Sequence, residues 1–185
     1  MTDRSQLIEL LATRSAKRGQ FTLASGKQSD FYIDARLTTM SPEGLSLIGA
    51  IGLSTLRASG WDVDAVGGLT LGADPISYAI SYASSGSNQP IRAFTVRKES
   101  KAHGTKKLIE GPLRDGDRAV IIEDVITTGD SALRAIAAVR NANAFVIGVL
   151  ALVDREEGGR QAIENTGIKV IALATAGQIR AVIRE

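Results

Sequence analysis

The sequence contains no cysteine and a single histidine, His103. Without cysteine, neither a disulfide framework nor a thiolate metal site can form. One histidine cannot build a His-rich metal centre, and a Ser-His-Asp triad would have to depend on that residue alone. Metal centres made of thiolates or of several histidines are therefore excluded.

A strong excess of charge of either sign is also missing. The 22 basic and 20 acidic side chains leave a formal net charge of +2. A nucleic-acid-binding domain usually carries a marked basic excess or a basic face, because phosphate contacts dominate its affinity. We therefore expect no nucleic-acid partner.

Long hydrophobic runs are absent as well. The longest apolar stretch, residues 144–153, is too short to span a bilayer. The first residues, MTDRSQLIELLATRSAKRG, interrupt their apolar positions with charges and lack the continuous apolar block of a signal peptide. We expect a cytoplasmic enzyme or binding domain with no membrane contact.

The chain length favours one domain. Its 185 residues can bury a sizeable core but are too few for two ordinary domains, so we expect a single domain over residues 1–185. The predicted strands cover residues 63–68, 91–96, 117–124, 144–154 and 169–174, and helices are predicted over 73–84, over 130–143 and after Glu156. This alternation predicts an α/β, doubly wound, mostly parallel sheet with ligands beyond the carboxyl ends of its strands.

The N-terminal part of the chain precedes this alternation. Leucines at helical spacing predict a first helix that ends near Gly19, and residues 21–36 predict two short strands around a turn. Ser41 and Pro42 are typical of a helix start, with a capping hydroxyl followed by proline.

The stretch AVIIEDVITTGDSAL, residues 119–133, ends an apolar strand in two acids and continues through small hydroxyl residues into a helix. Backbone N–H groups at a helix start suit a phosphate, and a glycine lets the backbone approach it closely. Glu123 and Asp124 would repel that phosphate but suit neighbouring hydroxyl groups or a cation. An isolated acid pair at a strand end is most often a solvated surface feature, yet this combination describes a site for ribose 5-phosphate.

VIIEDVITTGDSA resembles the signature of the type I phosphoribosyltransferases, which bind 5-phosphoribosyl 1-diphosphate. The resemblance implies that family's fold, with a small N-terminal hood over residues 1–40 that contributes to the base pocket. It assigns Glu123 and Asp124 to the ribose hydroxyls, with Asp124 also catalytic. The implied phosphate loop comprises Val125, Ile126, Thr127, Thr128, Gly129, Asp130 and Ser131. A Walker-A loop is absent, and GGLTLG is too loose for a dinucleotide fingerprint.

The segment RKESKAHG, residues 97–104, resembles the catalytic loop of the orotate phosphoribosyltransferases. The resemblance implies a homodimer in which loop 97–107 reaches the neighbouring subunit's site. It assigns Arg97, Lys98, Lys101 and His103 to the diphosphate, with Lys101 and His103 catalytic. A charge run of this kind is otherwise usually a solvated loop.

Two further stretches resemble the orotate pocket of that family. In SGKQSDFYIDAR, the resemblance places Tyr32 and Ile33 against the pyrimidine, although core strand residues are an equal alternative. In LVDRE, Arg155 matches the arginine that pairs with the orotate carboxylate, and a guanidinium suits a carboxylate bidentately. Thr127 is expected to hydrogen-bond the pyrimidine as well.

The implied reaction joins orotate to 5-phosphoribosyl 1-diphosphate, giving orotidine 5′-monophosphate and diphosphate in pyrimidine biosynthesis. It implies Mg²⁺ as cofactor, bridging substrate oxygens without a dedicated protein cage. The alternatives are a phosphoribosyltransferase for uracil or a purine, and a non-catalytic regulator that senses the donor. Ala24 and the GGLTLGADP loop stand where many bacterial members carry a lysine, which leaves the diphosphate contacts open.

Overall fold

The computed structural model describes residues 3–22, 28–99 and 108–183. The strands are β1 (Ala16–Thr22), β2 (Gln28–Ile33), β3 (Ala65–Leu69), β4 (Arg92–Val96), β5 (Ile109–Glu110), β6 (Arg118–Ile126), β7 (Phe145–Asp154) and β8 (Val170–Thr175). The helices are α1 (Asp3–Leu10), α2 (Arg36–Thr39), α3 (Pro42–Ala58), α4 (Ala73–Ser84), α5 (Asp130–Asn141), α6 (Gly159–Glu164) and α7 (Ala176–Val182). A π-helical turn, Leu11–Ser15, continues α1.

A six-stranded sheet in the order β5-β4-β3-β6-β7-β8 forms the centre of the molecule. Strands β4, β3, β6, β7 and β8 run parallel, and the short β5 pairs antiparallel with β4 at one edge. The chain leaves β3 toward β4 on one side and resumes with β6 on the other side of β3. This reversal is a topological switch point, and it confirms the predicted doubly wound α/β class.

The two faces of the sheet carry two hydrophobic cores. Along β6, Val120 and Ile122 belong to the core on one face, whereas Ala119 and Ile121 belong to the core on the other. Neighbouring strand residues point to opposite faces, so a strand that is apolar at every position must be covered twice. Helices α1, α3, α4 and α7 supply the first core, and α5 and α6 the second.

The predicted helix starts and strands of the central region are largely confirmed. Helix α4 has the predicted bounds, and α3 begins as expected, since the Ser41 hydroxyl accepts a hydrogen bond from Gly44 N at 3.1 Å. Strand β6 extends beyond the predicted end, through Ile126, because Val125 and Ile126 keep their pairing with β7. The two acids therefore lie within the strand, as predicted, but two residues before its end rather than at it.

The N-terminal prediction was wrong in one respect. Helical structure ends at Ser15, and β1 begins at Ala16, well before Gly19. Strand β1 pairs antiparallel with β2, so residues from Ala16 onward are taken up by a hairpin. Tertiary pairing overrode the helical spacing of the preceding leucines. Helices α2 and α7 and strand β5 were not predicted.

Helix α7 packs against α1. The Thr175 hydroxyl accepts from Gln178 N, and the Gln178 side chain accepts from Thr175 N, which forms a capping box. Across the described residues, the helices are too short or too polar to cross a membrane.

The close packing of β3 against β6 yields a stability prediction. A Cβ atom added at Gly68 would lie 2.0 Å from the Ile122 carbonyl oxygen, which is backbone and cannot move aside easily. Gly68→Ala should lower the free energy of unfolding by about 1–3 kcal/mol, as overpacked cores do. Urea unfolding measures this change.

Gly86→Ala is the matched control, since nothing lies within 4 Å of a Cβ atom there. Its unfolding midpoint should stay at the wild-type value. Equal midpoints for the two alanine variants would contradict the packing described for β3.

Candidate active site

A cleft of about 710 Å³ opens at the carboxyl ends of β3 and β6, at the switch point of the sheet. Five segments line it: the end of β2 with the start of α2, the turn after β3, Lys98 after β4, the turn from β6 into α5, and the residues after β7. The lining residues are Tyr32, Ile33, Asp34, Ala35, Arg36, Leu69, Thr70, Leu71, Gly72, Lys98, Glu123, Asp124, Val125, Thr127, Thr128, Asp130, Ser131, Arg155 and Glu157. Most of the residues predicted from sequence therefore lie around one cavity.

Two adjacent carboxyl groups form the floor of the cleft at the end of β6. Glu123 is 8% exposed, and its Oε2 atom is buried without a hydrogen-bond partner among the described residues. Asp124 is half-buried, and its Oδ1 atom accepts a hydrogen bond from Val125 N at 2.9 Å. A buried acceptor without a partner is costly, so Glu123 is suited to a ligand hydroxyl or a cation.

Burial raises the pKa values of both acids, and the Asp124 charge raises that of Glu123 further. The pKa of Glu123 rises to about 8, first because of burial and then because of the neighbouring Asp124 charge. The pKa of Asp124 is also raised by burial, against the lowering effect of the Val125 backbone N–H and of Arg36. The pair therefore binds protons readily unless a ligand supplies compensating donors or positive charge.

The turn from β6 into α5 presents hydroxyl groups around a helix start. Thr127, Thr128 and Ser131 line the cleft, and the Thr128 hydroxyl accepts from Asp130 N at 3.4 Å. Gly129 caps the helix with φ 88°, and a Cβ atom there would lie 2.8 Å from the Gly159 carbonyl oxygen. Glycine is required both for this conformation and for the close approach of α6, and the free N–H groups of the first helical turn suit an anion.

The turn after β3 forms the facing wall. Gly72 lies directly against Asp124, since a Cβ atom at Gly72 would be 2.3 Å from Asp124 Oδ2. Asp74 fixes this turn: its Oδ2 accepts from the Thr70 hydroxyl at 2.7 Å, and its Oδ1 accepts from the Thr95 hydroxyl at 2.8 Å. The buried carboxylate thereby joins the turn to β4 and holds the wall against the acid pair.

Arg155 follows β7 and is 6% exposed. Its Nη2 atom donates to Glu157 Oε1 at 2.7 Å and to the Phe31 carbonyl oxygen at 3.3 Å. Its Nε atom is buried without a partner among the described residues. A buried guanidinium that lines a cleft with an unused donor is suited to a ligand carboxylate.

The hairpin supplies the remaining wall. Tyr32 is 38% exposed and Ile33 is 7% exposed, at the end of β2. Both line the cleft, so the alternative in which they are only core strand residues does not hold for Tyr32. Asp34 and Arg36 follow them, joined by a bidentate ion pair with distances of 2.8 and 3.0 Å.

Three predicted residues do not line the cleft. Arg97 lies at the end of β4, where its Nη1 atom is 3.6 Å from Glu110 Oε1. Ile126 is buried in the core, and its carbonyl oxygen accepts from Arg155 N. Gly129 acts through the backbone as the α5 cap. Lys98 does line the cleft, whereas Lys101 and His103 fall outside the described residues.

Sequence reasoning missed several lining residues, chiefly Arg36 and Glu157. Arg36 is the last residue of the segment predicted to form the two strands, and Glu157 follows Arg155 by two. Their nearness to predicted site residues was the available signal. Only the fold shows that the hairpin approaches the end of β6.

Comparisons with known proteins agree with this geometry. The model of the phosphoribosyl transferase domain family matches residues 58–176. The orotate phosphoribosyltransferase of Aquifex aeolicus is 48% identical over 176 residues, covering 94% of this chain and 95% of that one. The crystal structure of Mycobacterium tuberculosis H37Rv orotate phosphoribosyltransferase in complex with 5-phospho-α-D-ribosyl 1-diphosphate has a TM-score of 0.79 at 38% identity, covering 97% of this chain and 99% of that one. Adenine phosphoribosyltransferase from Leishmania tarentolae, 17% identical with a TM-score of 0.66 and covering 96% and 91% of the two chains, shares the fold.

The raised pKa of Glu123 predicts an unusual dependence of stability on pH. A carboxyl group whose pKa rises on folding, here from 4.5 to about 8, stabilises the fold fully below its unfolded pKa and loses that contribution as pH rises through the folded value. Without ligand, Glu123→Gln should therefore become more stable than wild type between about pH 5 and about pH 8.5, by up to roughly 5 kcal/mol. Urea unfolding at a series of pH values measures the difference.

Glu43→Gln is the control, because the hydrogen bond from Arg14 lowers the pKa of that carboxyl. Its difference from wild type should stay constant over the same range, where the group is ionised in both states. A Glu123→Gln difference that does not change with pH would contradict the assigned pKa.

Proposed function

The chain belongs to the phosphoribosyltransferase family, among the orotate phosphoribosyltransferases, and on that premise we propose how its cleft performs the reaction. The enzyme transfers the phosphoribosyl group of 5-phosphoribosyl 1-diphosphate to orotate, giving orotidine 5′-monophosphate and diphosphate in pyrimidine biosynthesis. The observation that carries the site proposal is the meeting of an acid pair, a helix start and a buried arginine around one cleft. We further propose that residues 1–185 work as a single domain in the cytoplasm.

The donor is held at the end of β6. The N–H groups and hydroxyls of residues 127–131 bind the 5′-phosphate, with Val125 and Ile126 contributing only the backbone that leads into this loop. Glu123 and Asp124 accept hydrogen bonds from the two ribose hydroxyls. These contacts satisfy the buried Glu123 oxygen and favour the ionised carboxylates.

The acceptor lies between the hairpin and the end of β7. Tyr32 and Ile33 form a wall for the pyrimidine, and Arg155 donates to the orotate carboxylate through its Nε edge. Thr127, at the junction of the two substrates, donates to the base. An uncharged base such as uracil would leave the Arg155 donor unpaired, which disfavours that alternative.

Bond breaking at C1′ precedes attack by the pyrimidine nitrogen, which bonds to C1′ as its N–H proton passes to the departing diphosphate. The electron pair of the C1′–O bond leaves with diphosphate, and positive charge develops on the sugar. Asp124, as a carboxylate beneath the ribose, stabilises this charge and fixes the sugar by its hydroxyls. The 97–107 segment supplies cations for the departing diphosphate and excludes water. These cations are Arg97, Lys98, Lys101 and His103.

We propose Mg²⁺ as the cofactor. Among the described residues no group of three or more acidic or histidine side chains forms a metal cage. The unpartnered Glu123 oxygen and the neighbouring Asp124 carboxylate nevertheless fit a hard cation that keeps substrate and water ligands. When bound, Mg²⁺ supplies positive charge to the diphosphate and ribose oxygens. The two acids would hold it mainly through hydroxyls or water.

The first test measures orotate consumption by ultraviolet absorbance with 5-phosphoribosyl 1-diphosphate and Mg²⁺. Arg155→Gln should raise the KM for orotate by roughly tenfold to hundredfold, the value of a hydrogen bond to a charged group. The KM for the donor should change little. Lys101→Ala should lower kcat instead.

Arg140→Gln, at the end of α5 away from the cleft, is the control and should behave as wild type. Unchanged orotate KM in Arg155→Gln, with folding intact by circular dichroism, would remove Arg155 from the base pocket. Turnover of uracil or a purine in place of orotate would contradict the assigned acceptor.

We also propose a homodimer in which loop 97–107 of each subunit serves the other's cleft. Lys101→Ala and Asp124→Asn should each be nearly inactive as homodimers. Mixed dimers would contain one site with both residues intact, so purified mixed dimers should show about one half of wild-type activity.

Recovery is measured by orotate turnover after the two variants are co-expressed and purified through different tags. As a control, each variant co-expressed with itself should stay inactive. If the mixed sample is no more active than its parents, the loop serves its own subunit's cleft.

A further inference from the structure

The described part of the cleft carries more acidic than basic groups. Its acids are Asp34, Glu123, Asp124, Asp130 and Glu157, and its bases are Arg36, Lys98 and Arg155. The donor adds a phosphate and a diphosphate to this surface, so fixed positive charge is needed where the diphosphate lies. The turn after β3, Thr70 to Gly72, carries no cation of its own.

Arg36 is a cation at the start of α2, outside the 97–107 segment. Asp34 forms a bidentate ion pair with it: Arg36 Nε donates to Asp34 Oδ1 at 2.8 Å, and Nη2 donates to Oδ2 at 3.0 Å. Two of the five N–H donors of a guanidinium are thereby used, and none of the described residues accepts a hydrogen bond from Nη1. The Arg36 side chain is 49% exposed, so this edge remains accessible.

The other two cations of the described cleft are placed differently. Arg155 is buried and pairs with Glu157, beside the proposed base pocket. Lys98 is exposed at the end of β4, at the start of the 97–107 segment. Arg36 therefore offers positive charge from the wall formed by the hairpin and α2.

The location of Arg36 connects it to the turn after β3. Its charge acts on Asp124, whose pKa is raised by burial and lowered in part by Arg36. Asp124 in turn lies directly against Gly72. Arg36, the acid pair, Leu71 and Gly72 all line the same cleft.

We propose that Arg36, oriented by Asp34, binds the diphosphate of the donor and takes the place of a lysine in the turn after β3. Its free Nη1 edge donates to non-bridging diphosphate oxygens. As the C1′–O bond breaks, its electron pair moves onto the diphosphate oxygen, and Arg36 stabilises the added negative charge. This inference rests on the proposed function, since it assumes 5-phosphoribosyl 1-diphosphate as the donor.

The test compares Arg36→Gln with wild type in three measurements: the KM for the donor, the KM for orotate and the affinity for diphosphate with Mg²⁺ by calorimetry. Arg36→Gln should raise the donor KM and weaken diphosphate binding by roughly tenfold or more, as expected for a lost charge-assisted hydrogen bond. The orotate KM should stay within about twofold of wild type. Arg36→Lys should have a donor KM and a diphosphate affinity between those of the two proteins, because lysine keeps the charge but loses the bidentate geometry of the guanidinium.

Asp34→Asn keeps Arg36 but removes the charge that orients it, and it should weaken diphosphate binding less than Arg36→Gln. Arg14→Gln is the matched control, since Arg14 pairs with Glu43 at 2.8 Å and does not line the cleft. Its constants should equal those of wild type.

Wild-type diphosphate affinity and donor KM in Arg36→Gln would overturn the proposal, as would an effect confined to orotate. Failure of the proposed function is a separate result: wild type itself would not consume orotate. Diphosphate binding would still decide the role of Arg36 in that case, because the calorimetric measurement does not depend on turnover.

Discussion

Glu123 and Asp124 place two carboxyl groups side by side where water is largely excluded. Burial disfavours their ionised forms, and the rest of the site is arranged around this cost. Burial raises both pKa values, and one Glu123 oxygen has no partner among the described residues. In isolation such a pair weakens the fold at neutral pH. Ligand hydroxyls and a cation would relieve it, so part of the binding free energy comes from satisfying groups that the fold leaves unsatisfied. The fold is therefore less stable without ligand at this strand end, and the ligand binds there more tightly.

The switch point explains why these acids meet a phosphate loop and an arginine. Strand β6 lies between β3 and β7, so its carboxyl end is flanked by the turn that holds Gly72 and by Arg155 after β7. Each wall is fixed by buried polar contacts: Asp74 ties Thr70 to β4, and the Phe31 carbonyl oxygen accepts from Arg155. These contacts hold the walls in place before a ligand arrives, and such preorganisation lowers the cost of binding.

Much of this arrangement was predictable from sequence because it depends on local pattern. The uniformly apolar β6 and β7 predicted a doubly covered parallel sheet, and the order of acids, hydroxyls and glycine predicted the turn into α5. Residues brought in by tertiary contacts were not predictable: Arg36 reaches the cleft only because β1 and β2 form a hairpin against the end of the sheet. The early end of the first helix was missed for the same reason, since pairing with β2 outweighs local helical spacing.

The most direct measurement is a crystal structure of the protein with 5-phosphoribosyl 1-diphosphate and Mg²⁺. The 5′-phosphate should lie on the backbone N–H groups of residues 127–131, with the ribose hydroxyls on Glu123 and Asp124. The diphosphate should lie between the turn after β3 and the Arg36 guanidinium. A donor bound with its ribose away from the acid pair, or with its 5′-phosphate outside the α5 turn, would show that the site is assigned wrongly.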